Sequence, residues 1–354
     1  MRALRVLLVA NDGFSAGHVA RMIAIAGGLS RVGEARGVAV QAVLATTSTA
    51  DALLSEAGAA VVRLPSPGAG RRGGLGDVER RSLVRGAIEG VVRGFAPDLL
   101  VVDTFPSGPH GELAGVTNRP MKRALVRRAT EAQAGLPPGL EGALTAGLAE
   151  YDLAVLAGDP GPIAAIDGVP VRQVSPIARI DGVLARGAAR DKLGLGEGRA
   201  ILVASGGGGD RAAGERAGQL AAAIGRIAPD VTVVQAIGPV ADARDAGVRI
   251  APLSTVMRAF DGAFAPAGYN TAHELAALGV PAALFAQPRT FDDQAARSAR
   301  FAVGGWAHVL ARFDDDAIAA ALAWMTTAQL PAMRVGGELE AAEALIDLVI
   351  GGAA

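Results

Sequence analysis

Short apolar runs rich in β-branched residues recur along this chain, each followed by a helical stretch or a glycine-bearing turn. A strand that is apolar on both faces must be covered on both faces, which is the habit of parallel sheets with helices above and below. Parallel neighbours also need a crossover, and the helical stretches supply it. Runs at 4–10, 38–45, 60–64, 98–102, 124–126, 153–156 and 171–174 predict one such sheet, with helices at 18–32, 50–57 and 78–95. The alternation starts again with runs at 199–205, 231–236, 248–250, 263–265, 281–285 and 307–310, a helix at 211–227 and an amphipathic helix at 338–350. The expected class is therefore α/β, with two doubly wound, Rossmann-like parallel-sheet domains. They are placed at 1–175 and 188–335, with the mixed-polarity stretch 175–187 as linker and 336–354 as a terminal helical segment. Residues 65–76, PSPGAGRRGGLG, read as a loop.

A length of 354 residues suits two ordinary domains, and no short-period repeat points to a solenoid. Aromatic residues are 4% of the chain and the net charge is −1, so base stacking and phosphate neutralisation are both poorly supplied and no nucleic-acid partner is expected. The absence of cysteine excludes disulfides, cysteine-ligated zinc and thiol nucleophiles. The opening MRALRVLLVAND is too short and too β-branched in its apolar part for a signal peptide, and it turns at Asn11-Asp12-Gly13. No apolar run reaches the roughly 20 residues of a membrane-spanning helix. A cytoplasmic protein is expected.

Open α/β sheets bind ligands beyond the carboxyl ends of their strands, so the polar residues there are the candidates. In the first half, the loop NDGFSAGHVAR sets His18 after Gly17. An imidazole there suits a general base, and equally a plain helix-start histidine. Asp103 closes the run LLVVD, either as a turn aspartate or as the carboxylate that orients His18 and stabilises its imidazolium. The following loop adds His110 and Glu112 as alternative bases.

In the second half, SGGGGD at 205–210 joins a strand to a helix without the Gly-Lys-Ser/Thr of a P-loop. Gly206, Gly207 and Gly208 would let backbone amides approach a diphosphate, with Arg211 beside them. In GYNTAHELAALGVP, Gly268 permits a close turn into a helix whose first amides suit a phosphate, and Gly279 and Pro281 end that helix. A helix terminus contributes only about 0.3–1 kcal/mol to holding a charge, so a diphosphate should need both glycine loops, with Arg211 or Arg289. Glu274, one turn in, suits the vicinal hydroxyls of a ribose, although Thr271 and Glu274 also spell a capping box. Asp292, Asp293 and Gln294 open the next helix, where they suit sugar hydroxyls or simply complement its dipole. Asp314–Asp316 read as helix-opening carboxylates, and no metal is expected. Two basic clusters, Arg71, Arg72, Arg80, Arg81 and Arg85, and Arg119, Lys122, Arg123, Arg127 and Arg128, read as solvated faces. Their other use would be to attract an anionic acceptor or to contact a membrane surface peripherally.

Taken in order, Gly268-x-x-Thr271-x-x-Glu274, then Gly279-Val280-Pro281, then Asp293-Gln294 resembles the nucleotide-sugar half of the GT-B glycosyltransferases. Within that group it looks most like the branch that contains the lipid II-forming N-acetylglucosaminyltransferase. The resemblance is specific over 268–294 and general elsewhere. It implies two domains facing a cleft, a terminal helix that crosses back to the first domain, and no cofactor or metal. By the same resemblance Thr271 and the following amides hold the diphosphate, Glu274 the ribose, and Asp293 and Gln294 the donor sugar; the departing diphosphate is expected to meet the amides near Gly207, Asn270 and Thr271. Gly17-His18-Val19 is similar to the acceptor-facing loop of that group, which gives His18 the acceptor's proton and Asp103 the supporting role. The implied reaction is an inverting transfer from a nucleoside-diphosphate sugar, with uridine as the base, to an acceptor hydroxyl that stays unnamed. The competing readings are a nucleotide-sugar hydrolase or 2-epimerase, and a non-catalytic sugar-nucleotide binding protein.

Overall fold

A computed structural model describes residues 2–11, 16–116, 120–129, 140–158, 166, 168–208, 211–239, 247–289 and 292–351. The chain divides into two compact units, Met1–Ile177 with Gly336–Ala354, and Ala178–Val335.

In the first unit the elements run β1 (Leu4–Ala10), α1 (Gly17–Ala35), β2 (Val40–Thr46), α2 (Asp51–Leu54), β3 (Ala60–Arg63), α3 (Pro67–Arg72), α4 (Asp77–Phe95), β4 (Leu99–Asp103), β5 (Lys122–Ala129), α5 (Leu140–Thr145), β6 (Leu153–Gly158) and β7 (Val171–Val174). The second unit follows with α6 (Arg186–Leu193), β8 (Ala200–Ala204), α7 (Arg211–Ile227), β9 (Thr232–Ile237), β10 (Val248–Arg249), β11 (Gly262–Pro266), α8 (Tyr269–Ala277), β12 (Ala282–Phe285), α9 (Gln294–Val303), β13 (Ala307–Val309) and α10 (Asp315–Thr327). The last helix, α11 (Gly337–Ile350), belongs to the first unit.

Both sheets are parallel throughout, in the orders β3-β2-β1-β4-β5-β6-β7 and β10-β9-β8-β11-β12-β13. The chain builds outward from β1 in one direction and then returns to β1's other side to lay down β4. It repeats this around β8 and β11. Each sheet therefore has a switch point, at β1/β4 and at β8/β11, where the loops leaving adjacent strands diverge to opposite faces and leave a crevice. Every residue of β4, β8 and β11 is buried.

Helix α11 lies on α1 at close range. A Cβ on Gly28 would sit 2.4 Å from the Glu338 carbonyl oxygen, and one on Gly337 would sit 1.8 Å from the Ser175 carbonyl oxygen, so only glycine fits at either contact. Arg31–Glu338 at 3.3 Å and Arg36–Asp347 at 2.5 Å reinforce the seam. Glu340 accepts from both the Ser175 amide (2.7 Å) and its hydroxyl (2.8 Å).

Two stretches differ from the sequence expectation. Residues 65–76 contain α3, opened by Ser66, whose Oγ accepts from the Ala69 amide at 3.1 Å, with Pro67 in the first turn. Ser-Pro is a helix-start signature that the glycines and arginines around it obscured. The proposed linker 175–187 already contains the start of α6, which ends on Gly194 in the left-handed region at φ +64°. Among the described residues no helix is long and apolar enough to cross a membrane.

Candidate active site

The first switch point brings together residues that lie 85 positions apart. His18 is the second residue of α1, and Asp103 is the last of β4. Their side chains meet with His18 Nδ1 3.0 Å from Asp103 Oδ2. Asp103 is wholly buried, and the imidazole keeps a quarter of its surface exposed. Arg21, one turn further along α1, is also buried and places Nη2 2.5 Å from Asp103 Oδ1. Thr104 Oγ1 donates to the same oxygen at 2.9 Å. Burial by itself would push the Asp103 carboxyl upward. The Arg21 charge, the neighbouring His18 and the hydrogen bonds from both outweigh it, and the pKa falls to about 2. Asp103 is thus a fixed anion against the Nδ1 edge of a partly exposed imidazole. Thr104 holds φ +64°, a left-handed conformation that costs a β-branched residue energy and is kept only where surrounding contacts enforce it.

The alternative bases occupy different settings. Glu112 is buried, accepting from Asn11 Nδ2 at 3.0 Å and from the His110 amide at 2.8 Å, so its carboxylate ties the loop after β1 to the loop after β4. His110 is exposed on that loop. Much of the basic clusters is spent nearby. Arg81 and Arg85 donate to the carbonyls of His110 and Gly111, and Arg80 is buried. Lys122 pairs with Asp152 and Arg123 with Glu150, while Arg127 donates to the Thr104 carbonyl at 2.9 Å. Arg71 and Arg72 are exposed, and Arg119 lies outside the described residues.

The second switch point gathers the glycine loop after β8, the start of α8 after β11 and the loop after β12. Gly206 takes φ +96°, and its backbone runs against Gly238, where an added Cβ would come within 2.5 Å of the Gly206 carbonyl oxygen. Gly207 is exposed and Gly208 buried; Gly209 and Asp210 lie outside the described residues. Gln287, buried on the loop after β12, donates to the Ser205 carbonyl at 3.3 Å and accepts from Arg289 at 2.9 Å, which brings that guanidinium to the glycine loop. Arg211 is instead exposed and pairs with Glu215 at 2.9 Å. Helix α8 starts at Gly268, whose φ of −65° is open to any residue and which has free space where a Cβ would go. The close turn expected of Gly268 is therefore not present, and the left-handed glycine of this site is Gly206. No side chain caps α8, so Thr271 and Glu274 do not form the capping box their spacing allows. Asn270 and Thr271, in its first turn, are half-buried.

Glu274 is buried, and burial raises its pKa to about 7 against the opposing charge and backbone hydrogen bond of Arg179. In the unfolded chain this carboxyl ionises near 4.5, in the folded protein near 7. The folded state binds the extra proton between those values, so stability should fall by on the order of 3 kcal/mol as pH rises through that window. Glu274→Gln should flatten this slope, measured as urea-unfolding free energy at pH 4.5 and pH 7.5. An unchanged slope would place the titration elsewhere.

Around α9, Asp293 Oδ1 accepts from the Ala296 amide at 2.9 Å as the helix cap. Gln294 accepts from the Gln287 amide at 3.0 Å and donates to Asp292 at 3.2 Å, and Asp292 pairs with the buried Arg297 at 2.7 Å. Arg297 Nη1 also donates to the Ala267 carbonyl at 2.8 Å. The Asp-Gln pair thus braces the loops of this edge, with Asp293 exposed and Gln294 buried. His273 is sealed in the core against Tyr269 and Phe301. Asp314 caps α10 through the Ala317 amide at 2.9 Å. Among the described residues no group of three His, Asp or Glu side chains is placed to hold a metal ion.

No family model and no curated protein sequence matches the chain. Solved structures do. Spinosyn forosaminyltransferase SpnP aligns over 100% of this chain and 96% of its own, at 18% identity and a TM-score of 0.60. MurG of Acinetobacter baumannii aligns over 98% and 100%, at 14% identity and a TM-score of 0.56. The calicheamicin glycosyltransferase CalG4 aligns over 100% of both chains, at 18% identity and a TM-score of 0.56.

The chain has the GT-B fold.

Within this GT-B chain, sequence reasoning passed over Arg21, Thr104, Arg179 and Gln287. Arg21 carried a signal, because three residues after His18 on a helix is one turn and one face. Thr104 carried none, since its conformation is imposed by β4, β5 and Arg127 together.

Proposed function

We propose that this protein transfers a sugar from a nucleoside-diphosphate donor to an acceptor hydroxyl with inversion at the anomeric carbon. The observation that carries the reading is His18 held at 3.0 Å by a buried, ionised Asp103 at the first switch point. An imidazole so oriented can take a proton at Nε2. The acceptor oxygen then bonds to the anomeric carbon, and the carbon–oxygen bond to the diphosphate breaks, its electron pair leaving with the phosphate. Amides at Gly206–Gly208 and the first turn of α8, with Arg289 near them, would receive that charge. Glu274 would meet the ribose, and Asp293, exposed and with only Oδ1 used in capping, a hydroxyl of the donor sugar. The residues at these positions ask for no metal in this scheme.

The resemblance read from the sequence favours uridine as the base. Two neighbours of the same fold, SpnG and SsfS6, are described in complex with thymidine diphosphate, which makes thymidine the competing base. A thermal-shift panel of uridine- and thymidine-diphosphate sugars decides between them, since a ligand at a hundred times its Kd adds about 2.7 kcal/mol to stability. The stabilising donor is then incubated with an acceptor panel and the anomeric configuration of the product is read by NMR. A chain stabilised by no nucleotide sugar would contradict the proposal. Free sugar released without acceptor would point to hydrolysis.

A further inference from the structure

Asp103 has two carboxylate oxygens, and three donors share them. Arg21 Nη2 at 2.5 Å and Thr104 Oγ1 at 2.9 Å both take Oδ1. His18 Nδ1 takes Oδ2 at 3.0 Å. Arg21 Nη2 also donates to Thr104 Oγ1 at 3.2 Å, so the hydroxyl, which owns one proton, is left to point that proton at Oδ1. Thr104 is itself pinned, its amide on the Val126 carbonyl at 2.8 Å and its carbonyl under Arg127 Nε at 2.9 Å. The carboxylate therefore cannot swivel without breaking a charged contact. Arg21 lies in an expensive place: its side chain is buried, and its Nε–H has no partner among the described residues.

We propose that Arg21 is a positioning residue which, with Thr104, occupies Oδ1, leaves Oδ2 to His18, and so fixes the imidazole as the Nδ1–H tautomer, with Nε2 as the unprotonated nitrogen. An ionised carboxylate only accepts, so a ring nitrogen 3.0 Å from it carries the proton. Arg21 Nη2 also stands 3.5 Å from His18 Nδ1, a contact that would favour the opposite tautomer, and the shorter charged contact prevails. The catalytic use of that tautomer rests on the reading of His18 as the base. The tautomer itself does not.

The test is imidazole ¹⁵N spectroscopy on the full chain, at a pH where the ring is neutral, with His18→Ala identifying the signals among the four histidines. In the wild type the Nδ1–H form should dominate. In Arg21→Met its ratio to the Nε2–H form should fall about tenfold, the weight of one charged hydrogen bond. Arg21→Lys, which keeps a cation at Oδ1, should restore most of it. Turnover should follow the same order, kcat falling roughly tenfold or more in Arg21→Met with donor KM unchanged. Should Arg21→Met not fold, Asp103→Asn and Asp103→Asn/Arg21→Met make the comparison without an unpaired buried carboxylate, and the double variant removes both charges. With Arg21 present, the amide oxygen of the introduced asparagine turns to the guanidinium and its NH₂ faces the ring, forcing Nε2–H. Without Arg21 the amide can rotate and Nδ1–H returns. Equal tautomer ratios in wild type and Arg21→Met, or in the two asparagine proteins, overturn the proposal. A chain that transfers no sugar would sink the functional reading and leave this measurement standing.

Discussion

Replacing His18 by alanine should lower kcat by roughly 10²- to 10⁴-fold, the usual share of a positioned general base, with the protein folded and its donor affinity intact. Donor contacts are assigned to loops of the second unit, whereas His18 opens α1 in the first, so the two parameters should separate. Stability should fall by only about 1–2 kcal/mol. The imidazole is partly exposed, alanine is a good helix former, and Arg21 and Thr104 still hold Oδ1 of Asp103, while Oδ2 loses its ring donor. His110→Ala, on an exposed loop position, provides the control and should leave kcat within a few-fold. Steady-state kinetics with saturating acceptor, alongside donor titration by calorimetry, give both numbers. Wild-type turnover in His18→Ala would remove the histidine from the chemistry, and a kcat collapse in His110→Ala would move the base to the other loop.

The sheet strands were legible in this chain because burial on both faces leaves little freedom of composition: LRVLLVA, LLVVD and AILVA admit hardly any other role. The short elements were not. Helix α3 is six residues among glycines and arginines, held by one serine cap, and α6 is mostly polar. The site divides the same way. His18 and Asp103 stand at strand ends on either side of a switch point, where topology alone predicts convergence. The stretch expected to bind a donor could be read as an order of residue types, but types do not fix contacts. Asp293 and Gln294 turn out to carry the loop's own bracing, and Glu274 lies buried beside Arg179. A carboxylate suited to a hydroxyl suits a backbone amide or a guanidinium equally well, and only the folded geometry chooses. Arg21 and Thr104 show the converse: their importance lies in what Asp103 requires, and Asp103 is more than eighty positions from Arg21.

Asp103→Ala should destabilise the first unit by about 3–5 kcal/mol, the typical cost of breaking a buried ion pair from one side. The loss strands Arg21, which is buried and would keep its charge among groups that cannot solvate it. It also removes the acceptor that Thr104 and His18 share. Asp103→Asn separates folding from chemistry. The amide fills the same volume and still offers Arg21 an oxygen, so the unfolding free energy should drop by less than in Asp103→Ala, while kcat should fall as far as in His18→Ala because the ring is held in the wrong tautomer. The pH dependence supplies an independent sign. Asp103 titrates near 3.8 unfolded and near 2 folded, so its ionised form contributes stability above pH 3.8, on the order of 2 kcal/mol, and that contribution is lost as pH falls through about 2. The stability gap between wild type and Asp103→Asn should accordingly be full at pH 6 and shrink as acid is added below pH 4. A gap independent of pH would mean that the carboxylate is not the anion that Arg21 and His18 are built around.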